Sequence, residues 1–219
     1  MHGGSVMTEM EMWSNATRAE HACSALAKNG FDAVFVKTKE EAADLVMKFV
    51  TPGMKLGFGG SATIKALGIP DKAQALGATI LDHNKPGLGA EEKMQILRAQ
   101  LTCDLFVCSV NAITLKGEMM NIDGNGNRVA AMTFGPRKNV VVVGTNKLVA
   151  DENEAWARIK SWAAPMNNKR LAKENPCVKM GQCMDCQNPT RICRVYQTLR
   201  RRPTLSDYTV IIVGENLGF

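Results

Sequence analysis

The sequence predicts an α/β fold: a mainly parallel open sheet with helices on both faces. Three observations point there. Helix-like and strand-like segments alternate through the first half. The strand-like ones are short apolar runs, as expected for strands covered on both faces. Small-residue loops then lead from strands into helices, as Gly59-Gly60-Ser61 does after Phe58.

Taken in order, a polar, Ala-rich helix runs from about Thr8 to Asn29 and stops at Gly30, where left-handed geometry suits glycine. FDAVFV (31–36) reads as a strand. Thr38 and Glu41 form a capping box, and Ala42, Leu45, Val46 and Phe49 share one helical face. Lys55 to Phe58 is a short strand that leads into a brief helix, and Ala78 to Leu81 is another strand. Met94, Leu97 and Leu101 stripe a helix over 90–101, and Asp104 to Val110 is a buried strand. Residues 118–134 read as a β-hairpin whose Gly124-Asn125-Gly126-Asn127 turn supplies positive φ angles. Asn139 to Gly144 is a Val-rich central strand. Asp151 with Glu154 caps a helix carrying Ala155, Ile159 and Trp162, Pro165 opens another, and Tyr208 to Val213 is the last strand. No internal repeat is visible.

The 219 residues suit one generous α/β domain, or one domain with an appendage. A hydrophobic content of 45% is enough for a core, and no apolar run approaches bilayer length, so membrane insertion is not expected. The opening MHGGSVM reads as a cloning remnant, and no basic region followed by an apolar core marks secretion; a cytoplasmic location is expected. The net charge of +6 does not argue for nucleic acid, because the excess is local and only 5% of residues are aromatic.

That local excess surrounds Cys177, Cys183, Cys186 and Cys193, spaced C-x5-C-x2-C-x6-C. From Lys169 to Arg202 there are nine Lys/Arg against Glu174 and Asp185, a balance of +7, which leaves the remainder near −1. Four thiolates around a +2 centre leave −2, which a basic collar stabilises. Two disulfides or unused thiols are the alternatives; a cytoplasmic chain disfavours disulfides. The spacing is nearest the C-x4-C-x2-C iron–sulfur type, so an iron–sulfur cluster is favoured and zinc is the alternative. Cys23, Cys103 and Cys108 lie in ordinary helix and strand.

A second chemistry gathers at strand ends. GFGGSATI (57–64) lets backbone amides approach an anion at Gly59 and Gly60, and Ser61 and Thr63 add hydroxyls; the alternative is a tight turn that needs glycine for packing alone. Because ligands of open α/β sheets sit beyond the carboxyl ends of strands, Asn111 and Thr114 should lie at the same edge. Glu118 is the nearest carboxylate there, a candidate acid, base or nucleophile, or else merely solvated. Lys147, after the Val strand, can pair with a substrate carboxylate or phosphate, or lie on the surface. Of the histidines, His2 and His21 offer nothing, and only His83 can reach the edge.

GFGGS, NAIT-x-x-GE, DGNGNRVA, FGP followed by VVVVGTNKLV, AP-x-N, PC-x5-C-x2-C-x-x-P-x-RIC and GENLGF together resemble the LUD, or lactate-utilisation, domain family, over nearly the whole chain. The resemblance implies one such domain over 8–219, with 165–203 as a cysteine-rich basic segment. Its fold would be like that of the ribose-phosphate isomerase, glucosamine-phosphate deaminase and CoA-transferase group. It also implies a site built from Gly59, Gly60, Ser61, Asn111, Thr114, Glu118 and Lys147. Family members belong to a system that oxidises lactate to pyruvate with iron–sulfur proteins, which implies oxidoreductase subunits as partners. This chain lacks ferredoxin-type cysteine runs and any visible flavin or nicotinamide site. Three readings follow: an accessory or electron-transfer protein, an independent enzyme acting on a small anionic ligand, or a zinc-stabilised binding module.

Overall fold

Four consecutive valines, Val140 to Val143, show why the central sheet is covered on both sides. Side chains alternate along a strand, so Val140 and Val142 enter one apolar cluster and Val141 and Val143 another, and all four are fully buried. Burying each contributes about 1.5–3 kcal/mol. The computed structural model describes residues 7–219; residues 1–6, with His2, lie outside the described residues.

The first half contains α1 (Glu9–Lys28), β1 (Asp32–Val36), α2 (Lys39–Met47), β2 (Lys55–Phe58), α3 (Ala62–Ala66), α4 (Ile69–Ala75), β3 (Thr79–Leu81), α5 (Ala90–Ala99) and β4 (Leu105–Cys108). Then come β5 (Ala112–Thr114), β6 (Met119–Asp123), α6 (Asn127–Thr133), β7 (Lys138–Gly144), β8 (Leu148–Val149) and α7 (Glu152–Arg158). The chain continues with α8 (Ala164–Arg170), α9 (Pro176–Met180), β9 (Val195–Leu199) and β10 (Asp207–Val213). Capping boxes at Thr8/Glu11 and Thr38/Glu41 start α1 and α2, satisfying amides that have no partner inside the helix.

Six strands form an open, all-parallel sheet in the order β1-β10-β7-β4-β2-β3. The α/β expectation therefore holds, with apolar clusters on both faces. On one side Leu26 of α1 meets Phe31, Phe106 and Tyr208; on the other Val46 of α2 meets Leu56, Ile64 and Leu105.

A second sheet, β8-β5-β6-β9, replaces the single inserted hairpin expected from sequence. The expected second arm, 128–134, is instead the helix α6. Three causes act together. The other edge of β6 is taken by β9, with Met119 opposite Leu199 and Asp123 opposite Val195. Gly126, at φ +79°, turns the chain, and the Asp123 carboxylate accepts from Val129 N at 3.1 Å. Ala130, Ala131 and Met132 are then good helix formers. The hairpin that does form is β5–β6, with Ile113 opposite Met119. Its turn carries Gly117 at φ +78°, where an added Cβ would lie 2.7 Å from backbone atoms of Ala25 and Leu26.

Two apolar stripes also differ from expectation. Between α7 and α8 the helix widens to a π turn over Ile159–Ala163, next to Pro165, which has no N–H to donate. Ala155 of α7 and Ile159 and Ala163 of that turn are buried at four-residue spacing, and Trp162 is carried outward, to 53% exposure. On α5, Leu97 is buried but Met94 is exposed, since that helix lies over the sheet's edge strand β3. Among the described residues no helix is long and apolar enough to cross a membrane.

Candidate functional site

Parallel strands in register send their carboxyl ends to one edge, and here β3, β2, β4 and β7 lie side by side in that order from the sheet's end. The segments that follow them, through His83 and Asn84, Gly60 and Ser61, Ser109 and Asn111, and Lys147, wall one cavity of about 410 Å³. Residues of the β6–α6 turn, Arg170 of α8, Cys193 and Phe219 close it from the opposite side. The volume suits a small metabolite. Its charge is one-sided: Lys93, Arg128, Lys147, Arg170 and Lys173 line it against the one side-chain carboxylate of Asp123.

Lys147 is the unusual residue of this wall. A short turn after β7 folds it inward, so it is only 4% exposed. Gly144 begins that turn because the 215–217 segment crosses it; an added Cβ would overlap Glu215 O and Leu217 N. Nζ of Lys147 donates to Thr63 Oγ1 at 3.1 Å and to Ser109 Oγ at 3.0 Å. Among the described residues no carboxylate forms an ion pair with it. Burial, then repulsion by Arg158 and Arg128, lowers its pKa to about 7.

Arg128 organises the floor. Its guanidinium pairs with Asp123 at 2.6 Å and donates to Ser109 O, Ile122 O and the side-chain oxygens of Asn121 and Asn111. All its donors are engaged within the protein, so Arg128 holds three loops together and has none to spare for a ligand. Gly59 belongs to the same floor: a Cβ there would lie 3.3 Å from Arg128 Cδ and 3.2 Å from Cys108 Cβ. Burial lowers the His83 pKa; its ring lies between Gln100 Nε2 at 3.0 Å and Asn84 Nδ2 at 3.2 Å.

Of the residues singled out from sequence, Gly60, Ser61, Asn111, Lys147 and His83 line the cavity, and Gly59 supports it. Ser61 Oγ caps α3 by accepting from Ile64 N at 3.4 Å. Thr114 and Glu118 are elsewhere. After Ser109 the chain leaves the six-stranded sheet and enters β5, which buries Thr114; its hydroxyl donates to Glu118 Oε2 at 3.1 Å. Glu118 then faces Arg200 at 3.8 Å, outside the cavity lining. Arg128, Arg170 and Ser109 were not anticipated. Only Arg128 had a signal, an arginine directly after a Gly/Asn-rich turn.

The four clustered cysteines share a second, smaller cavity of about 20 Å³. Cys177 comes from α9; the other three come from the loop that follows it. Arg191 ties that loop down, donating to Cys186 O at 2.6 Å and Cys193 O at 2.7 Å, while Cys183 N donates to Lys160 O at 2.8 Å. All four thiols are free. Burial, then the neighbouring Cys186 and Cys183, pushes the Cys177 thiol up; burial, then Cys183, pushes Cys193 to about 11. Thiolates are soft donors, and a soft cation drawing them together would relieve that mutual repulsion, but the volume as it stands admits only roughly one water-sized body. Among the described residues, no three His, Cys, Asp or Glu side chains are gathered tightly enough to hold a metal ion. Cys193 and its neighbour Ile192 line both cavities.

The family profile described as "LUD domain" matches residues 19–213. No curated protein matches the chain. The crystal structure of a DUF162 family protein from Deinococcus radiodurans is similar at a TM-score of 0.52 and 14% identity, covering 91% of this chain and 98% of that one, a likeness of fold alone.

Proposed function

This chain belongs to the LUD domain family, and from that premise we propose a lactate-utilisation-related role beside a partner oxidoreductase. In this reading Cys177, Cys183, Cys186 and Cys193 draw in around one metal centre, closer together than they stand without it, and the adjoining cationic cavity takes a small anion. The observation that carries it is the shared wall: Cys193 belongs to both cavities, so a centre held by these thiols borders the place where the anion binds. Bound there, an iron–sulfur cluster supplies one-electron transfer and zinc supplies a structural tie. The basic collar and the cysteine spacing favour iron–sulfur. Zinc is the second reading, favoured by a cavity sized for a single ion.

Metal and labile-sulfide analysis of an anaerobic preparation tests this. The expected result is brown protein with iron and sulfide in constant ratio to chain, both lost in Cys193→Ser. Zinc without sulfide selects the second reading. Equal, trace metal in wild type and variant ends both.

A further inference from the structure

We infer that Lys147 is a nucleophile whose Nζ condenses with the carbonyl carbon of a short 2-oxo acid to form an imine. The inference rests on the cavity being an anion site and names the chemistry that the site performs.

The hydrogen bonds around Nζ carry the argument. Thr63 Oγ1 gives its own proton to Leu217 O at 3.1 Å, while the nearest acceptor for Ser109 Oγ is Val110 O, at a long 3.5 Å. Both hydroxyls accept from Lys147, and two N–H bonds of Nζ point at them. A tetrahedral nitrogen bonded to Cε and committed twice has one position left. In an ammonium it is a third N–H; in an amine it is the lone pair. Gly218 packs against this group, where a Cβ would sit 3.4 Å from Nζ and 2.6 Å from Thr63 Oγ1, and Lys147 itself lines the cavity. With no carboxylate paired to it and Arg158 and Arg128 opposing its charge, Lys147 is poised as an amine near neutral pH. A lysine that served only as an anion's counter-charge would be better placed where water or a carboxylate kept it protonated.

The substrate class follows from the rest of the wall. Lys93 and Lys173 line the cavity and form no ion pairs among the described residues, and Arg170, whose Nε and Nη2 are held by Asn167 Oδ1 and Gly60 O, keeps Nη1, so these can receive a carboxylate while the carbonyl meets Nζ. The step balances without an oxidant or reductant. The Nζ–C bond forms as the C=O π pair moves to oxygen. One proton passes from nitrogen to that oxygen to give the carbinolamine; the second nitrogen proton then reaches the hydroxyl, which departs as water as the nitrogen pair closes C=N, and hydrolysis restores the amine.

Pyruvate with cyanoborohydride is the probe, applied to the full chain as purified and followed by peptide mapping, with calorimetry of pyruvate, lactate and phosphate in parallel. One reductively trapped adduct is expected on Lys147, on the order of a thousandfold above any surface lysine at pH 7, since each pK unit is tenfold in free amine. Lactate, which has no carbonyl, should give none. Lys147→Met should unfold cooperatively like wild type and lose the adduct. Pyruvate binding with no adduct, or with label spread over surface lysines, overturns the imine and leaves the anion site standing. No calorimetric binding of any of the three removes the anion site and the imine together.

Discussion

Lys147 carries its charge at a cost that pH can reveal. Its pKa falls from the ordinary 10.5 to about 7 on folding. The unfolded chain therefore binds more protons between those values, and native stability rises as pH climbs from 7 towards 10.5. Below pH 7 the penalty is fully present, at roughly 5 kcal/mol if the whole shift is expressed. Lys147→Met removes the charge and keeps the bulk, but leaves Thr63 and Ser109 without a donor, an offset of about 1 kcal/mol each. The variant should be more stable than wild type at pH 6 by a few kcal/mol, and denaturant titrations should show that margin shrinking steadily to pH 10. A margin that does not change with pH would mean that Lys147 titrates normally.

At the scale of elements, what the sequence made legible depended on length and periodicity. Helices with capping boxes (α1, α2), apolar runs of at least four residues (β4, β7, β10) and the short β2 before its glycine loop emerge near their expected bounds. The second sheet did not, because β5 and β8 have three and two residues, too few to show a period, and β9 lies inside a segment dominated by its cysteines and charges. Residues 127–133 misled because a Gly/Asn turn can precede either arm of a hairpin or a helix, and only the pairing of β6 with β9 decides between them. The β5–β6 turn supplies the matching test. Gly117→Ala meets both a left-handed φ and the backbone of α1, and should lose roughly 2–4 kcal/mol in urea unfolding. An unchanged midpoint would show that α1 yields to the turn.

For the whole molecule, the edge that carries the larger cavity was legible because strand direction alone places it. Gly60, Ser61, Asn111 and Lys147 meet as the parallel sheet requires, and Glu118 and Thr114 fall away because the chain changes sheets after β4. Arg128 was harder to see, since it acts through partners more than five residues away, such as Ser109 and Asn111. A metal on the cysteine cavity would bind only the folded chain, so anaerobic iron or zinc should raise the thermal midpoint. Saturation a thousandfold above Kd is worth about 4 kcal/mol. Chelation should reverse the rise, Cys193→Ser should abolish it, and Cys23→Ser, on α1, should leave it intact.

The order of strands also sets the timetable of synthesis. β10 lies between β1 and β7, pairing Val34 and Val142 through Ile211. On the ribosome β1 appears early and β7 midway, yet the two sides of the sheet cannot join until residues 207–213 have left the exit tunnel. Until then the chain presents two unfinished edges, rich in valine, each a template for a neighbour's strand. Faithful production of this protein therefore depends on what shelters the nascent chain during that wait.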